Sequence, residues 1–412
     1  MSRIVLKFGG TSVGSVERIN HVAKIVKSEV DLGNQIVVVL SAMAGETDRL
    51  INLTKELSND FQDSEFDVVI SSGEQVTAGA LSGLLNSLGI KAQSRLGWQI
   101  PIVTSGDHKS ARIEAIHSKE LINLLELNEV IVIPGFQGIN SEGRITTLGR
   151  GGSDTSAVAI AAAIDADFCD IYTDVDGVYT SDPNKVPTAK RLDKISYEEM
   201  LEMASLGAKV LQTRSVETAM NNDVVLRVLS SFSDIGEDKK GTLVCPEDSI
   251  ADKKIVTGVA ASTNDSKLTL TGIKDKPGVA AEILSVLADD GINVDMIVQN
   301  ISDDRKTTDL TYTVPNDESI RAKELMEGLS SSLSYKELIV DNNIAKISIV
   351  GVGMRSNAGV ASQMFRVLSQ NNINIDVIST SEIKISVLIN KGLTEKALNT
   401  LHDHFELGNT TN

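Results

Sequence analysis

Aromatic residues are scarce in this 412-residue chain, where Phe, Trp and Tyr together make up 3%. With so few rings the cores must be filled by Ala, Val, Ile and Leu, a palette that suits parallel strands flanked by helices. Cysteine is nearly absent, represented by Cys169 and Cys245. The N-terminal apolar run Ile4-Val5-Leu6 is too short for a signal-peptide core, so a reducing, cytoplasmic setting is expected. No apolar run reaches the roughly 18 residues that a membrane-spanning helix needs. Cations are outnumbered, with Lys and Arg at 39 against 56 Asp and Glu, a net charge of −17. That balance repels nucleic acid and anionic membranes, which need a basic surface, so neither is an expected partner. The histidines His21, His108, His117, His402 and His404 show no zinc spacing, and no Ser-His-Asp or Cys-His arrangement is visible, so no metal-ligand set is expected.

What the chain does contain is length and alternation. Its size predicts roughly two or three packed units, and a hydrophobic content of 41% supports real cores. Through residue 245, β-rich runs (Arg3–Phe8, Ile36–Ser41, Val130–Ile133) alternate with amphipathic stretches such as Val16–Val30. That alternation predicts an α/β unit over 1–245, a mostly parallel sheet flanked by helices. After Cys245-Pro246-Glu247-Asp248-Ser249 the pattern changes. Residues 246–264 read as a linker, and 265–340 and 341–412 as two copies of one small unit. Gly278–Ile297 aligned on Gly359–Ile378 matches at roughly nine of twenty positions. Each copy reads strand, loop, helix, strand, strand, helix, and Lys336–Val340 closes the first with a further strand, a ferredoxin-like order.

Several segments of the first unit carry polar chemistry at strand ends, where ligands bind in open α/β sheets. Lys7 precedes Gly9-Gly10-Thr11-Ser12-Val13-Gly14, a turn whose backbone N–H groups can cradle phosphate, or an ordinary tight turn. Ser41 and Thr47 follow the strand Ile36–Leu40 and can hold a polar substrate or cap a helix. Ser71-Ser72-Gly73-Glu74 closes a β-like run, Val68–Ile70, and opens a helix Gln75–Asn86. There Glu74 either meets a substrate ammonium or sits in a first helical turn that favours acids. Thr147-Leu148-Gly149-Arg150-Gly151-Gly152-Ser153-Asp154 is a second glycine-rich turn. Its Arg150 has the fork geometry for a carboxylate, and Asp154 orders reacting groups or caps the helix. Thr173-Asp174-Val175-Asp176-Gly177-Val178-Tyr179-Thr180-Ser181-Asp182 suits a nucleotide loop or a surface turn, and Gly207-Ala208-Lys209 adds one more cation beside a glycine. Gly351-Val352-Gly353-Met354-Arg355-Ser356 with Asp376 mimics a dinucleotide fingerprint but lacks its third glycine. Gly351 also sits where Gly272 sits in the first repeat.

Taken in order, Lys7-Phe8-Gly9-Gly10-Thr11-Ser12, Ser72-Gly73-Glu74, Leu148-Gly149-Arg150-Gly151-Gly152-Ser153-Asp154, Thr173-Asp174-Val175-Asp176-Gly177-Val178-Tyr179 and Gly207-Ala208-Lys209-Val210-Leu211 resemble aspartokinase. The C-terminal repeat resembles the paired ACT domains of the monofunctional, feedback-regulated enzymes, so nearly the whole chain is covered. The resemblance implies an amino acid kinase fold followed by two ACT domains, with ATP and Mg²⁺ as cosubstrates, L-aspartate as acceptor, and inhibition by lysine and/or threonine. It assigns catalysis to Lys7 and Asp154, aspartate binding to Ser41, Thr47, Glu74, Arg150 and Gly151, and ATP binding to Lys7, Gly9, Gly10, Thr173, Asp174, Tyr179, Asp182 and Lys209. Effector contacts fall on Lys274, Asp275, Gly278, Val279, Asn293, Asp295 and Gln299, and in the second copy on Ser356, Ala358, Val360, Asn374 and Ile375. A homo-oligomer joined through the ACT domains is implied. The competing readings are another amino acid kinase, or a catalytically silent amino-acid sensor on the same fold.

Overall fold

The computed structural model describes all residues except 128, 207–209, 234–240, 252–253, 302–305 and 409–412. The chain divides into two compact units, Met1–Tyr179 with Arg191–Asp252, and Thr180–Lys190 with Lys253–Asn412.

The first unit opens with β1 (Arg3–Phe8), α1 (Val16–Asp31), β2 (Gln35–Leu40), α2 (Glu46–Leu57) and α3 (Asp63–Ser87). It continues with β3 (Ala92–Ser94), β4 (Ile102–Thr104), β5 (Ile113–Ile116), α4 (Lys119–Glu126), β6 (Val130–Pro134), β7 (Gln137–Ile139), β8 (Ile145–Thr147) and α5 (Gly152–Ala163). β9 (Phe168–Thr173), β10 (Lys194–Ser196), α6 (Tyr197–Ser205), α7 (Thr213–Asn221), β11 (Leu226–Ser230) and β12 (Thr242–Cys245) complete it. Among the described residues, an eight-stranded sheet runs β10-β12-β11-β9-β1-β2-β6-β3, parallel except between β11 and β12. β1 and β2 read as nearly unbroken aliphatic runs because helices cover both faces of the sheet. Each fully buried Leu or Val, such as Leu6 and Val38, contributes about 2 kcal/mol. The register sets Phe8 beside Leu40 and Tyr172, so the C-terminal ends of β1, β2 and β9 share one edge. A mixed sheet β5-β4-β7-β8, parallel only between β4 and β7 and not announced by the sequence, packs in the same unit.

The β-like run Val68–Ile70 is not a strand. Asp63–Ser87 is one continuous helix, whose buried residues Asp67, Ile70, Ser71, Glu74, Thr77, Ala78, Leu81 and Leu85 recur at helical spacing. That long period overrides the local β preference of two valines and an isoleucine. Glu74 therefore sits in the middle of a helix and not in its first turn.

The second unit contains β13 (Gly258–Ser262), β14 (Asp265–Lys274), α8 (Val279–Asp289), β15 (Asp295–Ile301), β16 (Thr307–Pro315), α9 (Ser319–Gly328), α10 (Ser330–Leu333) and β17 (Glu337–Asp341). It ends with β18 (Ile344–Val350), α11 (Val360–Gln370), β19 (Val377–Thr380), β20 (Lys384–Asn390) and α12 (Thr394–His404). The repeat is visible in the backbone: Gly278 and Gly359 precede α8 and α11 with φ of 95° and 94°, a left-handed conformation that favours glycine. The sheets run β15-β16-β14-β17 and β13-β18-β20-β19.

Two expected boundaries change. The stretch 246–264 is not only a linker, because β13 pairs antiparallel with β18. All of β18 is buried, so both its edges need a partner, and the short run Gly-Val-Ala-Ala-Ser is too weakly patterned to announce itself. Thr180–Lys190 leaves the first unit. Val186 joins the apolar core around β18 and α11, Val259 N–H donates to the Thr180 carbonyl at 2.8 Å, and the buried His402 ring meets the hydroxyls of Thr180 and Thr188 at 2.9 and 3.3 Å.

Candidate active site

At the shared strand edge of the first unit lies a cavity of about 360 Å³, lined among others by Lys7, Gly10, Ser41, Thr47, Glu74, Arg150, Gly151 and Asp154. Lys7 comes from the end of β1, and its Nζ pairs with Asp154 Oδ1 at 2.5 Å, both side chains 10% exposed. Asp154 is there because Gly151, with φ of 72°, opens α5. A Cβ on Gly151 would lie 2.1 Å from Gln212 Cγ, so only glycine fits this turn. The ion pair holds the Lys7 ammonium beside the Gly9-Gly10 turn, where a Cβ on Gly9 would sit 3.5 Å from Nζ.

Glu74 projects from the middle of α3. Its Oε1 accepts from the Ala42 N–H at 3.2 Å, while Oε2 is buried with no hydrogen-bond partner among the described residues. Burial pushes this carboxyl up to about 7, the Ala42 bond opposing the shift. The helix can approach so closely because residue 73 is glycine, where a Cβ would lie 2.8 Å from Ala42 Cβ. Arg150 is exposed at the cavity and makes no ion pair among the described residues. The cavity thus presents one cation pinned by a carboxylate, one free guanidinium, and one carboxylate short of a partner. Such an array complements a small zwitterion carrying an additional negative group.

An amino acid kinase family model matches residues 2–230, and an ACT domain model matches 268–327 and 347–405. The aspartate kinase of Pseudomonas fluorescens (strain SBW25) is 52% identical over 410 residues, 99% of this chain and 98% of that protein. The chain belongs to the aspartokinases. The crystal structure of E. coli aspartokinase III in complex with aspartate and ADP superposes with a TM-score of 0.80 at 27% identity, covering 97% of this chain and 99% of that one. The same enzyme in complex with lysine and aspartate gives 0.79 at 27%, covering 98% and 99%.

Other expected aspartokinase residues fall around the cavity or away from it. Gly9, Thr173 and Asp174 sit at the ends of β1 and β9 on the same edge, and the Thr173 hydroxyl donates to Asp174 Oδ1 at 3.1 Å. The Tyr179 hydroxyl is engaged within its own turn, donating to Asp176 Oδ1 at 2.9 Å, and Asp176 also pairs with Arg191 at 3.0 Å. Asp182 belongs to the second unit, where its carboxylate accepts from the Asn184 N–H at 3.0 Å. Its Asp-Pro-Asn sequence makes that turn locally favourable. Lys209 lies outside the described residues.

Of the expected effector residues, Lys274 ends β14, Asp275 and Gly278 lie in the exposed loop before α8, Val279 begins that helix, and Asn293, Asp295 and Gln299 lead into and along β15. The Asp295 carboxylate is already paired with the buried Lys346 at 2.7 Å, which holds it below the usual carboxylate range against the opposing pull of burial. In the second copy Ser356 and Ala358 lie in the loop before α11, Val360 starts the helix, and Asn374 and Ile375 line a separate depression with Phe365.

Phe136 and Ser153 also line the active-site cavity and were not anticipated. Phe136 has φ of 70°, and Gly135 beside it would place a Cβ 2.8 Å from Ser153. The sequence signal available for this tight crossing was the Pro134-Gly135 turn at the end of β6.

Proposed function

We propose that the chain transfers the γ-phosphoryl group of ATP to the side-chain carboxylate of L-aspartate, giving 4-phospho-L-aspartate and ADP. The observation that carries this reading is the cavity itself, in which Lys7–Asp154, Glu74 and Arg150 converge. Glu74 receives the substrate ammonium on its unpartnered Oε2, and Arg150 grips the α-carboxylate. Ser41 and Thr47 bound the pocket, and Gly151 allows the Arg150 loop to close over it. The side-chain carboxylate is then directed toward the Lys7 end, where the ammonium stabilises charge on the transferring phosphoryl group and Asp154 fixes that ammonium in place. A carboxylate is already a nucleophile, so positioning and charge neutralisation supply the catalysis without a general base. Gly9, Gly10, Thr173, Asp174 and the loop ending at Tyr179 form the nucleotide side, with Lys209 as a further phosphate contact.

Mg²⁺ would travel with ATP. Among the described residues no group of three or more His, Cys, Asp or Glu side chains is placed to hold an ion, which suits a cation bound chiefly by phosphates with one or two carboxylates such as Asp174. It would neutralise phosphate charge. Lysine acts as the feedback effector through the ACT repeat, by kinship with the relative whose structure contains lysine, and threonine is the second candidate. The reaction begins the route to lysine, threonine and methionine. Homo-oligomers form through the repeat, where Ile297 on β15 and Ile378 on β19, 50% and 46% exposed, occupy matching positions. A cytoplasmic location fits the two buried free cysteines; among the described residues no helix is long and apolar enough to cross a membrane.

The test is ATP- and Mg²⁺-dependent formation of the aspartyl hydroxamate, with glutamate as the competing acceptor and lysine, threonine or both added. Turnover on aspartate suppressed by lysine is the expected result. No turnover on aspartate would overturn the reading.

A further inference from the structure

The buried carboxylate of Asp67 lies outside the cavity, and nothing in the proposed chemistry uses it. It is 0% exposed and sits on α3 two turns before Glu74, on the same face. Four donor contacts converge on it. Thr147 Oγ1 donates to Oδ1 at 2.6 Å, the Lys109 N–H reaches both oxygens at 3.2 Å, and His108 Nδ1 lies 2.7 Å from Oδ2.

These donors belong to the two strands of chain that hold the Arg150 loop. Thr147 ends β8, three residues before Arg150, and its carbonyl accepts from Ala111 N–H at 2.9 Å. Lys109 is held at φ of 65°, a left-handed conformation that a non-glycine residue adopts only when its surroundings impose it. Its carbonyl lies directly under the loop, since a Cβ on Gly149 would be 3.0 Å from it. Arg150 makes no ion pair among the described residues, and the backbone of its loop is held by the Thr147 and Lys109 contacts together with Arg214, whose Nη1 donates to the Leu148 carbonyl at 2.9 Å.

We propose that Asp67 is a positioning residue for substrate recognition, clamping Thr147 and Lys109 so that Arg150 faces the α-carboxylate of the acceptor. One helix then sets both ends of the amino-acid site, Glu74 directly and Arg150 through Asp67. This rests on the reading of Arg150 as the carboxylate anchor.

The test uses the full chain and four single substitutions, with KM measured separately for aspartate and for ATP. Thr147→Val replaces one hydroxyl by a methyl at nearly constant volume, so it removes a clamp bond with little risk to folding. It and Asp67→Asn are expected to raise KM for aspartate by about tenfold while moving KM for ATP less than about twofold. Thr147→Ser, which keeps the hydroxyl, is expected to stay within about twofold of the parent in both. Arg150→Lys raises KM for aspartate on its own, and adding Asp67→Asn to it has little further effect, because the two act through one contact. A raised aspartate KM in Arg150→Lys with no change in Thr147→Val or Asp67→Asn would overturn the role of Asp67 alone. An unchanged KM in Arg150→Lys would overturn the anchor reading and the proposal with it. Lowered kcat and melting temperature with both KM values unchanged would make Asp67 a merely structural residue, also against the proposal.

Discussion

Replacing Glu74 by Gln tests the ammonium subsite most directly. In the free protein burial pushes this carboxyl from 4.5 to about 7, a difference of about 3 kcal/mol between its protonation states. A substrate ammonium placed against Oε2 returns the stabilisation that water would have given. Below about pH 7 each aspartate that binds must therefore expel a proton from Glu74, and kcat/KM for aspartate should fall about tenfold per pH unit at saturating ATP. Aspartate keeps its own charges over this range, since its side chain titrates near about 3.9. Glu74→Gln retains an acceptor for the Ala42 N–H but carries no charge. At pH about 8 it should lose on the order of 10²-fold in kcat/KM for aspartate, the equivalent of about 3 kcal/mol. Its profile should lack the limb near 7, leaving any titration of the nucleotide, which both proteins share. Hydroxamate formation across pH at several aspartate concentrations measures this. A limb that survives in the Gln variant, or a parent profile flat down to pH about 5.5, would refute the reasoning.

Lys7→Met should lower kcat by roughly 10²-fold to 10³-fold while the protein still folds, because the interaction lost is one strengthened as charge develops on the transferring group; steady-state kinetics with circular dichroism checks both parts. Gly73→Ala should destabilise the first unit, although alanine favours helix by about 1 kcal/mol, because the new methyl would lie 2.8 Å from Ala42 Cβ; thermal melts of parent and variant decide the sign. The second unit should lose stability as pH falls below about 6.5. Burial lowers the pKa of His402 from its ordinary 6.5, with the nearby Asp403 opposing. The unfolded chain then takes up its proton first, and the loss continues until pH reaches the lowered folded value. Denaturant titrations at a series of pH values should show that slope, and His402→Gln should flatten it.

Much of the fold was legible because it is written in local pattern. The aliphatic run Ile36–Leu40 needs no partner in view to be read as a buried strand, and the kinship of Gly278–Ile297 with Gly359–Ile378 shows in residue identities alone. Two features were misread or invisible for a common reason. Val68–Ile70 looks like a strand in a short window, and only burial of every third or fourth residue from Asp67 to Leu85 shows one helix. β13 has five small residues and becomes a strand because β18, more than eighty positions later, leaves an edge to be paired. Among the site residues, Lys7, Glu74, Arg150 and Asp154 stood out by chemical type beside glycines. Phe136 and Ser153 also stand beside glycines but carry no charge to mark them, and Asp67 has no glycine neighbour at all, so their roles arise from what they touch.

By itself the sequence determined the alternation of strands and helices, the glycine turns at strand ends, the duplicated C-terminal module and the acidic surface. All of these follow from side-chain size, charge and spacing within a few residues. The tertiary structure alone decided that Lys7 and Asp154, 147 positions apart, meet at 2.5 Å, and that Glu74 ends up buried with an oxygen to spare. It also drew Thr180–Lys190 into the second unit. Those outcomes depend on strand register and on burial, and burial is a property of the packed chain that no short stretch of residues possesses.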